Sequence, residues 1–271
     1  MPEGPEVYAM AVDCYHYFKK NKLKKIVINS GKYKRKLLIG HDLLDKILPS
    51  KILSVSTHGK ILMIQLKHNY YIVITFGMSG YMTHEDIKHN HLTFITQKKN
   101  LYYNDHRNFG NIYVLSSDIL NKKLSELGPD MLSTTITYEL FRDQLYKYQN
   151  KMIALVLIDQ RCICGFGNYL RAEILWYSKI NPYRKIKDLT DQELKKIYHF
   201  GYNLIRYYAS IQIYAKDRNR NPNLKYKLEI KPNDYDRTFM VYSQKYDIFG
   251  NKINRDKLDG RSIYWIPKYQ N

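Results

Sequence analysis

Apolar positions along the chain recur with two different periods, and the change from one to the other divides it. Val7, Met10, Ala11, Cys14 and Phe18 keep helical spacing behind Gly4-Pro5-Glu6, which predicts a leading helix. Short apolar runs follow at residues 25–28, 37–39, 52–55, 61–66, 71–75, 92–96, 101–103 and 112–115, separated by polar or glycine-bearing turns. Runs of this kind predict strands packed as a two-sheet β-sandwich. The pattern breaks at Leu127-Gly128-Pro129-Asp130, and residues 137–210 read as helices. Leu155-Val156-Leu157-Ile158 is apolar all round, hence buried. Residues 166–177 form a helix after Gly165 and Gly167. Thr190-Asp191-Gln192-Glu193 is a capping box, opening a helix with Leu194, Ile197, Tyr198, Leu204 and Ile205 at helical spacing. Residues 218–234, polar and holding Pro222 and Pro232, predict a mobile loop. Two strands are expected at 239–242 and 263–266, with Gly250 and Gly260 punctuating the turns between. The expected architecture is α+β and multidomain: a sandwich with a leading helix over 1–126, a linker at 127–136, a helical domain at 137–234 and a β-hairpin at 235–271.

Charge changes this picture more than composition does. The 44 Lys+Arg against 25 Asp+Glu give a net charge of +19, which points to a polyanionic partner, nucleic acid first. The 27 tyrosines are candidate stacking platforms for bases, although Tyr, Lys, Ile and Asn all have AT-rich codons and most of the rings suit the core. Cysteine occurs only at Cys14, Cys162 and Cys164. Cys162 and Cys164 have no matching second pair, so neither a zinc site nor any other metal centre is expected. The absence of a disulfide framework suits a reducing, intracellular compartment. No signal peptide, transit peptide or membrane-spanning apolar run is present, so no membrane partner is expected.

The first residues carry the candidate chemistry. Met1 stands directly before Pro2, a pairing whose methionine is normally trimmed, which leaves a secondary amine one residue from the Glu3 carboxylate. An α-amino group titrates at about 7.7–8.0 against about 10.4 for lysine, so a useful fraction is uncharged and nucleophilic at neutral pH. Helix initiation explains the same stretch without chemistry: Pro5 fits the first helical position and Glu6 its positive end. On these residues alone both readings stand.

The rest of the chain supplies partners for such an amine. Beyond Pro2-Glu3-Gly4-Pro5-Glu6 it holds Gly59-Lys60 before a strand, Phe76-Gly77-Met78-Ser79-Gly80 and Asp105-His106-Arg107-Asn108-Phe109-Gly110. Then follow Leu127-Gly128-Pro129-Asp130, Gly165-Phe166-Gly167-Asn168-Tyr169-Leu170-Arg171-Ala172-Glu173-Ile174-Leu175 and Gly260-Arg261-Ser262. In these motifs and their order the whole chain resembles the formamidopyrimidine-DNA glycosylase/endonuclease VIII family of oxidative-damage repair enzymes. The resemblance implies a helix-two-turn-helix (H2TH) middle domain and a C-terminal finger. It also implies a bifunctional glycosylase/AP lyase, acting without a cofactor, as a monomer, on damaged double-stranded DNA.

Residue by residue, the resemblance implies that Pro2 attacks C1′ of a flipped-out nucleotide and that Glu3 is the general acid/base. Lys60, Asn168 and Arg261 would grip phosphates around the lesion. Met78, Arg107 and Phe109 would fill the space the extruded base leaves. Glu6 would lie near the site in a structural or lesion-facing role. No cysteine follows Cys164, so the family's four-cysteine zinc finger cannot form. The chain is similar in this to zincless-finger, endonuclease VIII-like members known from animals and giant viruses, the viral ones above all. Its hairpin would be held by packing of Phe239, Val241, Tyr242, Ile263, Tyr264 and Trp265. Thr75 stands where the guanine-lesion branch often has histidine. With the zincless likeness, this implies a preference for oxidised pyrimidines, hydantoins and formamidopyrimidines. The nucleus, the cytoplasm and a viral replication site all remain open as compartments.

Overall fold

The structure, a computed structural model, describes residues 1–19, 21–216 and 224–271. The described residues form helices α1 (Gly4–Phe18), α2 (His41–Ile47), α3 (Ser117–Ser125), α4 (Tyr138–Tyr146), α5 (Ile153–Val156), α6 (Asn168–Ser178) and α7 (Asp191–Lys216). The strands are β1 (Lys22–Ile28), β2 (Ser50–Lys51), β3 (Ser54–His58), β4 (Ile61–Gln65), β5 (Tyr70–Thr75), β6 (Gly80–Thr83), β7 (Asn90–Thr96), β8 (Asn100–Asp105), β9 (Asn111–Ser116), β10 (Asn254–Leu258) and β11 (Arg261–Trp265). The chain divides into two compact units. One comprises Met1–Glu126 with the last turns of α7 from Gln212, and the other runs from Leu127 to Ile211 and through the described C-terminal chain.

The first unit is a sandwich of two antiparallel sheets, ordered β2-β1-β7-β8-β6 and β3-β4-β5-β9. Leu62 and Ile64 of β4, Ile72 and Ile74 of β5, and Leu92 and Phe94 of β7 meet in one core with Val7, Met10, Ala11, Cys14 and Phe18 of α1. The period-3.6 face of the helix is therefore the face that is buried. Met63 and Val73 point to the other side of their sheet, where they pack with Leu115 and with Leu120 of α3. Burial on both faces explains why β4 and β5 read as continuous apolar runs rather than alternating ones. The run at 37–39 is not a strand: Leu37 and Ile39 are 57% and 60% exposed, and Ile39 makes a single bridge to Tyr113.

In the second unit the expected capping box is present. The Thr190 N–H donates to Glu193 Oε2 at 2.8 Å and the Glu193 N–H to Thr190 Oγ1 at 3.3 Å. Leu194, Ile197, Leu204 and Ile205 of the α7 helix are fully buried. Residues 218–223 of the expected mobile loop lie outside the described residues. The described remainder is tied down, with the Lys227 N–H on Asn203 Oδ1 at 2.7 Å and the Tyr177 hydroxyl on the Ile230 carbonyl at 2.9 Å.

The C-terminal hairpin differs from expectation in one strand. Its partners are β10 and β11, paired from Asn254↔Trp265 to Leu258↔Arg261. Residues 239–242 form no strand, because their N–H groups are consumed elsewhere. Those of Met240, Val241 and Tyr242 all donate to the Glu173 carboxylate, at 2.8, 3.0 and 2.9 Å. The hairpin base packs on α6 through Trp176, Met240, Val241, Ile253, Tyr264 and Ile266, with Tyr242 at the margin. Ile263 is buried, the Phe239 ring packs on Tyr169, Tyr208 and Tyr242, and Trp265 packs on Tyr183.

Candidate functional site

Pro2 sits immediately before α1, half-buried, and Glu3 is the N-cap of that helix. Glu6 Oε2 accepts the Glu3 N–H at 2.8 Å, so Glu6 is spent on fixing the helix start. Glu3 itself is only 2% exposed. Glutamate is not a preferred N-cap residue, and an ordinary cap lies at the surface. The Glu3 side chain accepts the Glu6 N–H in return, so the two glutamates close a reciprocal capping box. Helix initiation thus accounts for Pro5, Glu6 and this bond of Glu3, and the burial of Glu3 next to Pro2 goes beyond it.

Lys60 lies in the two-residue turn that joins β3 to β4, between the paired His58 and Ile61. Gly59 takes the left-handed conformation there, at φ 55°. The α1 helix packs directly on β3 and β4, so Glu3 and Lys60 belong to neighbouring elements. Strand β6 runs alongside the same helix in the same direction. The Met82 N–H meets Met10 Sδ at 3.4 Å, and His84 Nε2, just past the end of β6, meets Asp13 Oδ2 at 2.9 Å, three helix residues further on. Traced backwards, this places the turn at 77–79, before β6, toward the N-terminal end of the helix.

That turn and the loop between β8 and β9 are locked together by one carboxylate. Asp105, fully buried, accepts the Ser79 hydroxyl at 2.5 Å, the Tyr103 hydroxyl at 3.1 Å and the Gly110 N–H at 2.8 Å. Ser79 Oγ in turn accepts the Arg107 N–H at 2.9 Å. Burial, with Asp105 beside it, pushes the Tyr103 hydroxyl far above its ordinary pKa and keeps it a donor. Gly77, at φ 57°, permits the close approach: a Cβ there would lie 2.8 Å from both the Gly110 nitrogen and the Phe109 carbonyl carbon. On this base Met78 and Phe109 stand 43% and 55% exposed, and the Arg107 guanidinium lies 5.2 Å from the centre of the Phe109 ring. Large apolar side chains held out on rigid loops around a cation suit insertion into a partner. The structure thus brings Met78, Arg107 and Phe109 together. The two residues that hold them, Ser79 and Asp105, stood in the motifs without an assigned task. Only the recurrence of a polar pair at both loop bases could have signalled them.

The second unit has its own organiser. Asn168 is the first residue of α6 and its Oδ1 accepts a bond from Arg171 Nη2. Arg171, 1% exposed, also donates to the Ala154 carbonyl at 3.2 Å and to the Ser262 carbonyl at 3.0 Å. With its oxygen engaged, Asn168 presents its amide donors. The same guanidinium fixes the residue that follows Arg261. Arg261 is exposed at the first position of β11, just past a turn in which Asp259 and Gly260 both have positive φ, 48° and 72°. This is the Asp-Gly signature of a two-residue hairpin, a signal that would have found β10. Glu173 is the other missed residue. Burial raises its carboxyl above the ordinary range, and its three N–H donors oppose the shift. Arg171 and Glu173 together fasten the start of α6 to the hairpin. Beside the hairpin, Trp176, Phe249 and Tyr269 pack ring on ring at 6.0–6.4 Å. Among the described residues no three His, Cys, Asp or Glu side chains come together as a metal site.

A sandwich opening on a proline, a helical region with an asparagine-led helix and a hairpin carrying an exposed arginine define the scaffold of a DNA-repair glycosylase. Comparison with known proteins agrees. Residues 1–112 match the formamidopyrimidine-DNA glycosylase N-terminal domain, residues 127–208 the H2TH domain and residues 228–271 the C-terminal domain. The formamidopyrimidine-DNA glycosylase of Rickettsia bellii is 29% identical over 290 residues, covering 100% of this chain and 99% of that protein. That of Rickettsia africae is 32% identical over 209 residues, 73% and 74% of the two chains. The fold matches the Lactococcus lactis enzyme, solved non-covalently bound to DNA containing an AP site, with a TM-score of 0.82 at 22% identity and 99% coverage of both chains. The Thermus thermophilus protein follows at 0.80 and 22%, over 99% of this chain and 98% of that one. The chain belongs to the formamidopyrimidine-DNA glycosylase family.

Proposed function

We propose that the protein is a bifunctional DNA glycosylase/AP lyase of base excision repair, acting inside the cell on damaged double-stranded DNA. The observation that carries this is the burial of Glu3 directly after Pro2: its side chain closes a capping box with Glu6, yet the residue is only 2% exposed, which a surface cap does not require. Once Met1 is removed, the uncharged Pro2 nitrogen attacks C1′ of the flipped nucleotide and the bond from C1′ to the base breaks. The new amine loses its proton. Its lone pair then expels O4′, which Glu3 protonates, and the opened sugar is left as an iminium on Pro2. The iminium acidifies C2′. Loss of a C2′ proton drives out the 3′ phosphate, the 5′ phosphate follows, and hydrolysis of the iminium frees Pro2.

The remaining candidates serve binding. Lys60, the Asn168 amide and Arg261 hold phosphates beside the extruded nucleotide, where they stabilise charge as the strand breaks. Met78, Arg107 and Phe109 enter the emptied stack, with arginine facing the widowed base. Glu6 acts through the helix start. The domains divide as 1–126, 127–136, 137–234 and 235–271, and the finger is of the zincless kind. That kinship, with Thr75 at its position, favours oxidised pyrimidines, hydantoins and formamidopyrimidines over 8-oxoguanine. The test is strand cleavage of duplexes carrying 5-hydroxyuracil, formamidopyrimidine or 8-oxoguanine at one site. Cleavage of the first two ahead of the third is expected. Tight binding of all three with no cleavage would replace the enzyme with a damage-binding protein.

A further inference from the structure

The finger carries a second cationic feature with no assigned task. A pocket of about 510 Å³ opens between the turn at 243–246 and β10, walled by Lys245, Lys252, Arg255, Ser243, Tyr246 and Tyr264. No carboxylate lines it. The two nearest acids in sequence are occupied elsewhere. Asp247 accepts the Phe249 N–H at 2.9 Å and the Asn251 N–H at 2.8 Å. Asp256 accepts the Trp265 indole N–H at 2.6 Å and the Tyr183 hydroxyl at 2.8 Å. Among the described residues none of the three cations enters an ion pair.

Like charges gathered without a counterion repel one another, and the pocket holds them in place. The Arg255 Nε donates to Ser262 Oγ at 3.3 Å, and its guanidinium lies 5.8 Å from the centre of the Tyr264 ring. The Ile253 N–H bonds the Lys245 carbonyl at 3.0 Å, and Tyr246 bridges to Lys252, so the two lysines are fixed on adjoining backbone. Ser243, at φ 61°, stands at the rim. Fixed cations, hydroxyl groups and an exposed tyrosine form a receptor for a phosphate group with a stacking surface beside it.

The hairpin register separates this pocket from Arg261. Arg255 is paired with Tyr264 and Leu258 with Arg261. Cross-strand partners share a face and successive residues alternate, so Arg255 and Arg261 lie on opposite faces of the hairpin. We propose that the pocket binds a backbone phosphate of the DNA, other than the one Arg261 takes, so that the finger engages phosphates from both of its faces. This rests on the glycosylase function proposed above.

The test compares wild type with the Lys245→Ser/Lys252→Ser double variant and with Arg255→Gln alone. Binding to duplex DNA holding an abasic-site analogue is followed by fluorescence anisotropy from low to high KCl, and circular dichroism checks the fold. Each phosphate that a variant no longer neutralises lowers the slope of log affinity against log salt by about 0.9. A slope shallower by about one in a folded variant is expected. An unchanged slope in both variants overturns the proposal. Inorganic phosphate is titrated in parallel against the lysine side-chain resonances. Shifts with free phosphate but none with DNA would assign the pocket to a soluble phosphate and overturn the DNA assignment. Failure of the wild type to cleave lesion DNA, with the salt slopes as expected, would remove the glycosylase and leave the pocket standing.

Discussion

At the scale of single residues, burial separates the side chains that hold the loops from those that they present. Ser79 and Asp105 are interior or half-interior partners, whereas Met78 and Phe109 are held outward. The two kinds respond differently to truncation. Phe109→Ala changes folding stability by less than about 0.5 kcal/mol, as exposed positions do, yet sharply lowers cleavage of lesion duplexes. Ser79→Ala removes a donor to Asp105 and the acceptor of the Arg107 N–H, and costs about 1–3 kcal/mol. Urea denaturation together with single-turnover cleavage reads both effects. A large stability loss in Phe109→Ala would return that ring to the core. Apolar letters alone cannot show this difference: Met78 and Phe109 read as core residues until the conformations of Gly77 and Gly110 are known. The outward placement belongs to backbone geometry, which hydrophobic periodicity does not encode.

At the scale of elements, legibility followed the strength of the period. The α1 face from Val7 to Phe18, the capped start of α7 and the strands buried on both faces were readable, since each places apolar residues at a fixed repeat. Strand β10 was not, because its residues are polar and mostly exposed, and only Asp259-Gly260 marks it. Residues 239–242 misled in the opposite sense. Their apolar run serves the packing on α6, while Glu173 withdraws the N–H groups that a strand would use. This carboxylate has a pH signature. Its pKa is raised on folding, so the folded chain binds the proton more tightly than the unfolded one. Its stabilising share is complete below the unfolded value, about 4.3, and is lost as pH rises through the raised value. Glu173→Gln removes that decline, so the urea midpoint of the variant, measured in steps upward from pH 4, falls less than that of wild type. Parallel curves would assign the pH dependence to other groups.

At the scale of the whole molecule, a net charge of +19 and the ordered motifs named the partner before any coordinates did. What sequence left open was whether the opening residues are more than the start of a helix. The structure answers in part by burying Glu3 while the Glu6 carboxylate fixes the helix start. The two organisers were invisible because each joins segments apart in sequence: Asp105 takes the Ser79 hydroxyl of another loop, and Arg171 takes the Ala154 and Ser262 carbonyls.

The central claim is that the Pro2 nitrogen bonds to the sugar. It is tested most directly by reduction of the reaction with borohydride, followed by mass spectrometry of the digested adduct. Protein shown to lack Met1 is incubated with duplex DNA carrying 5-hydroxyuracil or an abasic site. A nucleotide remnant on the N-terminal peptide, attached at Pro2, is the expected result. An adduct on a lysine peptide, or no adduct from the processed chain, would contradict it.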